Sequence, residues 1–288
     1  MKMIRLTGIA ALCAAALGAP ASANHSWNGY HWATTNGVVA VRVNAALTAP
    51  WPSYLDTAIG EWEVSTHLSL GTRNDVGVSR RKCSPIAGQI LVCNDAYGPR
   101  GWLGIASINL DANGHITKGT TKLNDTYFNL AQYNTAAWRR MVTCQEVGHD
   151  FGLAHQDEGF SNTNLGSCMD YTNDPAGTAG TNGTKANISP NAHDYEQLDL
   201  IYNHTNDGYS TATMSSATNF GIRDFTRPAP PAAVDEDVGD SPAQWGRAIH
   251  SDAQGRPDVF VMDLAGGGRR VTHVFWALET KRSDIHHD

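Results

Sequence analysis

Charged residues are scarce in this chain, and basic residues are scarcer than acidic ones. Only 17% of the 288 residues are charged, and 21 basic residues stand against 28 acidic ones, giving a formal net charge of −7. A surface with this balance does not attract a phosphate backbone, so nucleic acid is not an expected partner. With 41% hydrophobic residues, the composition also fits poorly with disorder or a coiled coil.

The sequence also has no apolar run that reaches the roughly 20 residues a membrane span needs. A shorter apolar stretch, 9–17, follows Lys2 and Arg5 and is followed by three small residues, 21–23. This arrangement is typical of a secretory signal peptide, which we predict over residues 1–23. An uncleaved N-terminal membrane anchor is the alternative. The predicted location of the mature chain is therefore extracellular.

Cysteine is sparse, and no two cysteines form a CxxC pair, which argues against a cysteine-based zinc site. Cleavage after residue 23 removes one of the five cysteines together with two basic residues and no acidic one, which makes the formal charge −9. An even set of cysteines in an oxidising compartment predicts two disulfides. Of the three connectivities, Cys83–Cys93 and Cys144–Cys168 are favoured, because the first closes a short loop and the second joins the two segments that carry the candidate site.

Hydrophobic periodicity predicts a chain of both strands and helices, in the order strand, helix, several strands, helix, loop, helix. β-branched and alternating runs predict strands, an Asn-Gly pair predicts a tight turn, and 3.6-residue spacing predicts helices. The predicted strands cover 38–43, 86–93, 102–110 and 115–123, the turn covers 111–114, and the helices begin at Pro52, run from about Thr135 to Phe151, and follow a cap at Ser189-Pro190.

The C-terminal part changes composition. A Gly-, Asn- and Thr-rich loop covers 156–187, and a Ser/Thr- and then Pro-rich stretch predicts a linker over 211–242. Three short strand patterns near 245–250, 258–264 and 270–278 follow it. They contain too few apolar residues for an independent core, so 243–288 is predicted to be a small β-rich extension of a main domain over 24–210.

The segment 144–155 carries the chemistry. On a helix, Gln145 and His149 lie one turn apart and can share one metal ion, with Glu146 beside them near a bound water. Gly152 can adopt a positive φ and end the helix, so that His155 approaches the same ion. A zinc ion in such a site lowers the pKa of its water to about 7, and Glu146 can then take the proton as a general base.

This segment resembles the metzincin signature, H-E-x-x-H-x-x-G-x-x-H followed by a Met-turn, with Gln145 in place of the first His. The Gly-Leu-x-His ending resembles the matrixin branch most, and Met169 with Tyr171 also resembles the Met-x-Tyr turn of the astacin and serralysin branches. The resemblance extends over about residues 35–205. It implies an α+β fold, with a catalytic domain built on a twisted mixed β-sheet, an active-site helix and a Met-turn. In this domain Glu146 is the general base, Tyr171 polarises the scissile carbonyl or stabilises the oxyanion, and Met169 forms an apolar floor.

The departure at position 145 leaves three alternatives, because a Gln oxygen is a weaker zinc ligand than an imidazole nitrogen. In the first, Gln145 binds zinc through its side-chain oxygen. In the second, zinc is bound by His149, His155 and a substitute ligand such as Tyr171 or an acid from the loop 157–158. In the third, the site holds no metal.

The resemblance implies Zn²⁺ as cofactor and protein or peptide substrates, with the chain acting as a monomer away from membranes once the signal peptide is cleaved. A structural Ca²⁺ ion is left open. The rival interpretation is a catalytically inactive secreted protein that keeps the fold and binds a peptide or glycan, and Gln145 is its best evidence.

Overall fold

One mixed β-sheet organises the chain in the computed structural model, which describes residues 24–34, 36–178, 180, 182–204 and 237–285. The architecture is α+β, with most of the core built on the sheet and few helices. The predicted signal peptide and most of the predicted linker lie outside the described residues.

The main sheet has the strand order β5-β3-β6-β8-β7-β11-β10-β9, and β1 pairs with β8 beside this path. Neighbours from β5 to β8 are parallel, whereas β7 and all strands beyond it pair antiparallel. A separate two-stranded sheet joins β2 and β4. The strands are β1 (His31–Trp32), β2 (Val39–Ala40), β3 (Arg42–Ala46), β4 (Leu68–Ser69), β5 (Asn74–Asp75), β6 (Gln89–Asp95), β7 (Trp102–Leu110), β8 (His115–Asn124), β9 (Arg247–Ser251), β10 (Pro257–Asp263) and β11 (Arg269–Trp276).

The helices pack mainly on one face of this sheet. They are α1 (Trp51–Trp62), α2 (Asp125–Phe128), α3 (Ala136–His149), α4 (Ala192–Tyr202) and α5 (Pro242–Trp245). In α1 the buried residues recur at helical spacing, so one stripe faces the core while the rest meets solvent. Helix α3 lies against β7 and α1, and nearly all of its residues from Met141 onward are buried.

Helix caps follow local sequence chemistry. Thr135 caps α3 as predicted, with its side chain accepting a hydrogen bond from the Trp138 backbone. The predicted cap of α4 at Ser189-Pro190 is wrong, because the helix is capped two residues after Ser189. Asn191 caps this helix instead, because its side chain accepts from the backbone at the helix start while the Asp194 carboxylate accepts from the Asn191 N–H.

The three C-terminal strands do not form the predicted appendage. They continue the main sheet, because β11 pairs with β7 along its whole length. One face of the added strands joins the core under α3, and the other face forms a second apolar core against α5. The extension was expected to lack an independent core because its apolar residues are few. In the structure these strands need no core of their own, because their apolar residues pack in the core of the main domain. The residues of this second core are Tyr97, Trp102, Ile105, Val238, Trp245, Phe260, Val274, Trp276 and Ile285.

Two disulfides brace the fold, Cys83–Cys93 and Cys144–Cys168, the connectivity that the sequence favours. The second ties α3 to the segment that carries Met169. Both are consistent with an extracellular protein. Within the part of the chain that the structure describes, every helix is too short or too polar to cross a membrane.

Candidate metal centre

The C-terminal half of α3 and the turn after it bring the predicted ligands together. Gln145, Glu146 and His149 are buried in α3. Beyond the helix, Gly152 has a φ of 88°, and a side chain there would collide with the carbonyl oxygen of Tyr30. The resulting reversal places the ring of His155 at a centroid distance of 4.9 Å from that of His149.

Both histidines have a ring nitrogen, Nε2, that forms no hydrogen bond with any of the described residues. His149 Nδ1 lies 2.7 Å from the carbonyl oxygen of Leu153, and His155 Nδ1 lies 3.2 Å from Glu158 Oε1. Each Nδ1 therefore carries the proton that its acceptor requires, which leaves Nε2 as the lone-pair atom. Within the described residues, neither Nε2 atom has a hydrogen-bond partner, although both are buried. A buried acceptor without a partner is costly, and a metal ion at this point would remove the cost.

Gln145 is held in one orientation by its amide. Gln145 Nε2 donates to the carbonyl oxygen of Cys168 at 2.8 Å, so the side-chain oxygen points away from that contact. This Oε1 atom is buried and has no hydrogen-bond partner among the described residues. Gln145 lies one helical turn before His149, the spacing at which two side chains share a ligand. The predicted ligand set therefore offers three buried acceptor atoms to which none of the described residues forms a hydrogen bond.

Glu146 is packed closely onto β7. A Cβ atom at Gly104 would lie only 2.8 Å from the Glu146 side chain, so glycine at this position allows the carboxyl group to reach the centre. One carboxylate oxygen, Oε1, has no hydrogen-bond partner among the described residues. The other, Oε2, is 3.2 Å from a nitrogen of His273. The carboxyl group thus lies beside the histidines with one oxygen available.

Residues 169–171, which lie within the loop 156–187, supply the floor and one wall. Met169 is buried beneath α3, and its sulfur would lie 2.6 Å from a Cβ atom at Gly148, so glycine permits the contact. Tyr171 is buried, and its ring packs on His155 at a centroid distance of 4.2 Å. The structure therefore brings both predicted residues to the centre.

A residue that the sequence analysis missed, His273 on β11, lies among them. Its Nε2 is 2.8 Å from the hydroxyl of Tyr171, and its Nδ1 is 3.2 Å from Glu146. One neutral tautomer satisfies both contacts, with Nδ1–H donating to the carboxylate and Nε2 accepting from the hydroxyl. Nitrogens of His149, His155 and His273 lie within 4.8 Å of one another, so these three side chains form a buried group able to hold a metal ion.

A signal for His273 does exist in the sequence. Val271, His273 and Phe275 alternate with Thr272 and Val274, so a lone titratable side chain shares the face of a buried strand with two apolar ones. Its neighbours in the centre are distant in the chain, however, and nothing local indicates that this strand lies against β7.

A second polar group from the C-terminal strands contacts the centre from outside. His250 Nδ1 lies 2.7 Å from Asp258 Oδ1, and His250 Nε2 lies 3.7 Å from the same Glu158 oxygen that contacts His155. Glu158 belongs to the loop 157–158, one of the alternative sources of a third zinc ligand. It contacts the Nδ1 side of His155, where a carboxylate orients the ring and raises its basicity.

Burial dominates the electrostatics of the centre. Burial, with a smaller contribution from Asp150, holds the pKa of Glu146 well above its usual range. Burial lowers the pKa of His155 to about 3, and it also holds the pKa values of His149 and His273 well below 6.5. The histidines are therefore neutral at neutral pH, which is the form that binds metal. A cation placed among them would favour the ionised form of Glu146.

Comparisons with known proteins add little. No family model matches the chain, and no curated protein matches its sequence. Among solved structures, one titled "Structure of Myroilysin" is similar with a TM-score of 0.33 and 12% sequence identity, covering 62% of this chain and 84% of that one. At this TM-score the likeness carries no functional argument, so the case for function depends on the centre itself.

Proposed function

We propose that the chain is a secreted zinc-dependent endopeptidase with a metzincin-like catalytic unit over 24–210. The observation that carries this proposal is the set of buried acceptor atoms without partners, Gln145 Oε1, His149 Nε2 and His155 Nε2, on the spacing of the signature. Neutral imidazoles and an amide oxygen fit zinc, since imidazole is a preferred ligand and a carbonyl-type oxygen is an acceptable weaker one.

The third ligand is Gln145 rather than His273 in this proposal. Both nitrogens of His273 already have partners, Tyr171 and Glu146, so ligation by His273 would cost one of these hydrogen bonds. Ligation by Gln145 Oε1 would break no hydrogen bond, because this atom is buried without a partner among the described residues.

Peptide hydrolysis needs a positioned base and a donor for the leaving amine. When bound, zinc supplies a Lewis acid that polarises the scissile carbonyl and lowers the pKa of the attacking water. Glu146 accepts a proton as the water oxygen bonds to the carbonyl carbon, and it returns that proton to the nitrogen as the carbon–nitrogen bond breaks. The Tyr171 hydroxyl donates a hydrogen bond to the oxygen of the scissile carbonyl, on which negative charge develops. Met169 keeps the far side of the ligand set apolar.

Metal content tests the proposal directly. Chain dialysed against zinc and then freed of loose metal is expected to retain about one equivalent, as a single tetrahedral site would. His149→Ala and His155→Ala should lose it, whereas His67→Ala should retain it, because the ring of His67 contacts Gly37 and Asp199 and not the centre. His273→Ala should also retain it, and its loss there would assign the third ligand to His273.

Catalysis is tested by the base. Glu146→Gln should keep the zinc and lower casein hydrolysis by at least about a hundredfold, the usual contribution of a general base. Hydrolysis that survives this change, or survives a chelator, would contradict the mechanism. A chain that holds well under one equivalent of zinc would instead favour the second candidate, an inactive secreted binding protein, for which Gln145 in the first ligand position is the specific observation.

A further inference from the structure

We propose that the three C-terminal strands β9–β11 form an intramolecular inhibitor, with β11 lying where an extended peptide substrate docks on β7. This inference rests on the proposed peptidase function and adds its regulation. The described chain is then the latent form, and it becomes active when β11 leaves β7.

The first observation is the position of β11. Strand β7 pairs with β8 on one side and with β11 on the other, and residues 269–276 face 110–102 in antiparallel register. His273 stands opposite Ala106 in this ladder. An extended chain at this edge therefore sends a side chain directly into the candidate centre, and peptide recognition by strand addition uses the same backbone hydrogen bonds.

The second observation is what His273 contacts. Its two ring nitrogens engage Glu146 and Tyr171, the two side chains assigned to proton transfer and carbonyl polarisation. Its ring centroid is 4.1 Å from that of His149 and 4.6 Å from that of His155. The imidazole thus fills the space in which a water molecule and a scissile carbonyl would meet these groups. With His273 in place, the Tyr171 hydroxyl and one of the two Glu146 oxygens are engaged, and the ring blocks the approach of a substrate to both side chains.

The third observation is that polar contacts join the C-terminal strands to β7 and to the centre. Ser107 and Thr272 hydrogen-bond across the β7–β11 pair at 2.8 Å, and both are buried. On the neighbouring strands, His250 joins Asp258 to Glu158, which contacts His155. These contacts make closure specific, since an apolar cover alone would not select one register.

The experiment compares two cut chains that differ in one covalent link. A site for a sequence-specific protease is inserted among residues 211–236, and the matched control also carries Ser107→Cys and Thr272→Cys, which join β11 to β7 at the pair whose side chains already touch. Two readouts follow: binding of a fluorescein-labelled peptide of residues 269–276 by anisotropy, and hydrolysis of casein.

The cut chain without the link should bind the labelled peptide and hydrolyse casein about tenfold or more faster than the uncut chain, because its binding-competent fraction rises. The cut and linked chain should behave like the uncut chain. Equal peptide binding by the uncut and cut chains, or equal and measurable casein hydrolysis with and without the link, would overturn the inference. If the cut chain binds peptide and zinc but hydrolyses nothing, the covering role of β11 stands and the peptidase function fails.

Hydrogen exchange on the unaltered chain gives a second measurement that does not depend on a variant folding. A strand that can leave should exchange its amides through a partial opening, so β11 and the facing positions of β7 should exchange together and faster than β6. Exchange of β11 at the rate of β6 would show that β11 opens only when the whole domain unfolds, and it would contradict the proposal.

Discussion

At the scale of single residues, position 145 decides how tightly the centre can hold a metal. A glutamine oxygen is neutral and only weakly basic, whereas an imidazole nitrogen is a preferred zinc ligand. The amide also forms a hydrogen bond with Cys168, next to the Cys144–Cys168 disulfide, so Gln145 is held in one orientation. A weak ligand in a fixed position can still complete a site that two histidines dominate.

The Gln145→His variant tests this reasoning. We expect zinc to bind about tenfold or more tightly, because an imidazole replaces the amide oxygen in the ligand set. The dissociation constant can be measured by competition with a chromophoric chelator. Gln145→Ala is the matched control and should bind more weakly than the unaltered chain. Equal affinity of Gln145→Ala and the unaltered chain would show that residue 145 is not a ligand.

Prediction from sequence is effective for this site only where the spacing is local. Gln145, Glu146 and His149 share one helix and His155 follows within a turn, so the pattern alone places them together. His273 is 127 residues from Glu146 in the chain, and their contact depends on which strand pairs with β7. Pairing between distant strands leaves no local trace in the side-chain pattern, which explains why a residue at the middle of the centre was missed.

At the scale of elements, the turn after α3 controls the geometry of the centre. The helix ends at His149, two residues before the predicted end at Phe151, and Gly152 carries the chain back with a positive φ while its carbonyl oxygen accepts a hydrogen bond from the Trp27 backbone at 2.7 Å. Among the strands, the run 102–110 coincides with β7, whereas the predicted strand 38–43 is divided between β2 and β3, which belong to different sheets. The partner of β11 is not predicted, because alternation specifies a strand and its faces but not its neighbour.

Gly152→Ala is expected to destabilise the chain by at least about 2 kcal/mol, from the unfavourable positive φ and the collision with Tyr30. Gly60→Ala is the matched control. Gly60 lies in α1, and a Cβ atom there would meet no atom within 4 Å, so alanine should stabilise by about 0.5 kcal/mol through its helix propensity. Urea unfolding of both variants measures the difference. Similar effects of the two changes would mean that the turn tolerates a side chain.

At the scale of the whole molecule, the sheet spans the main domain and the C-terminal strands, so buried titratable groups from both contribute to one folding equilibrium. Burial raises the pKa of Asp170 to about 7 and of Asp258 to about 6, and it holds the pKa values of Glu146 and Asp150 well above the usual range. Burial acts in the opposite direction on His25, His149, His155 and His273 and lowers their pKa values.

These two sets of groups act on stability in opposite directions, but not over the same pH range. A carboxyl group with a raised pKa binds more protons when folded, so it makes stability fall as pH rises from about 4 to its folded pKa. A histidine with a lowered pKa binds more protons when unfolded, so it makes stability rise up to about pH 6.5. Below that pH the effects oppose each other. Above pH 6.5, the carboxyl groups with the highest pKa values still titrate, and the histidines with lowered pKa values no longer oppose their effect on stability.

The metal-free chain should therefore lose stability as pH rises from about 6.5 to 7, where Asp170 still titrates, and a carboxyl group contributes up to about 1.4 kcal/mol per pH unit until it is ionised. Urea unfolding in the presence of a chelator measures this, because bound zinc would favour ionised Glu146 and obscure the trend. Asp170→Asn should make the loss between pH 6.5 and 7 smaller. Constant or rising stability over this interval would mean that the buried carboxyl groups are ionised in the folded chain, and with them Glu146 even before metal binds.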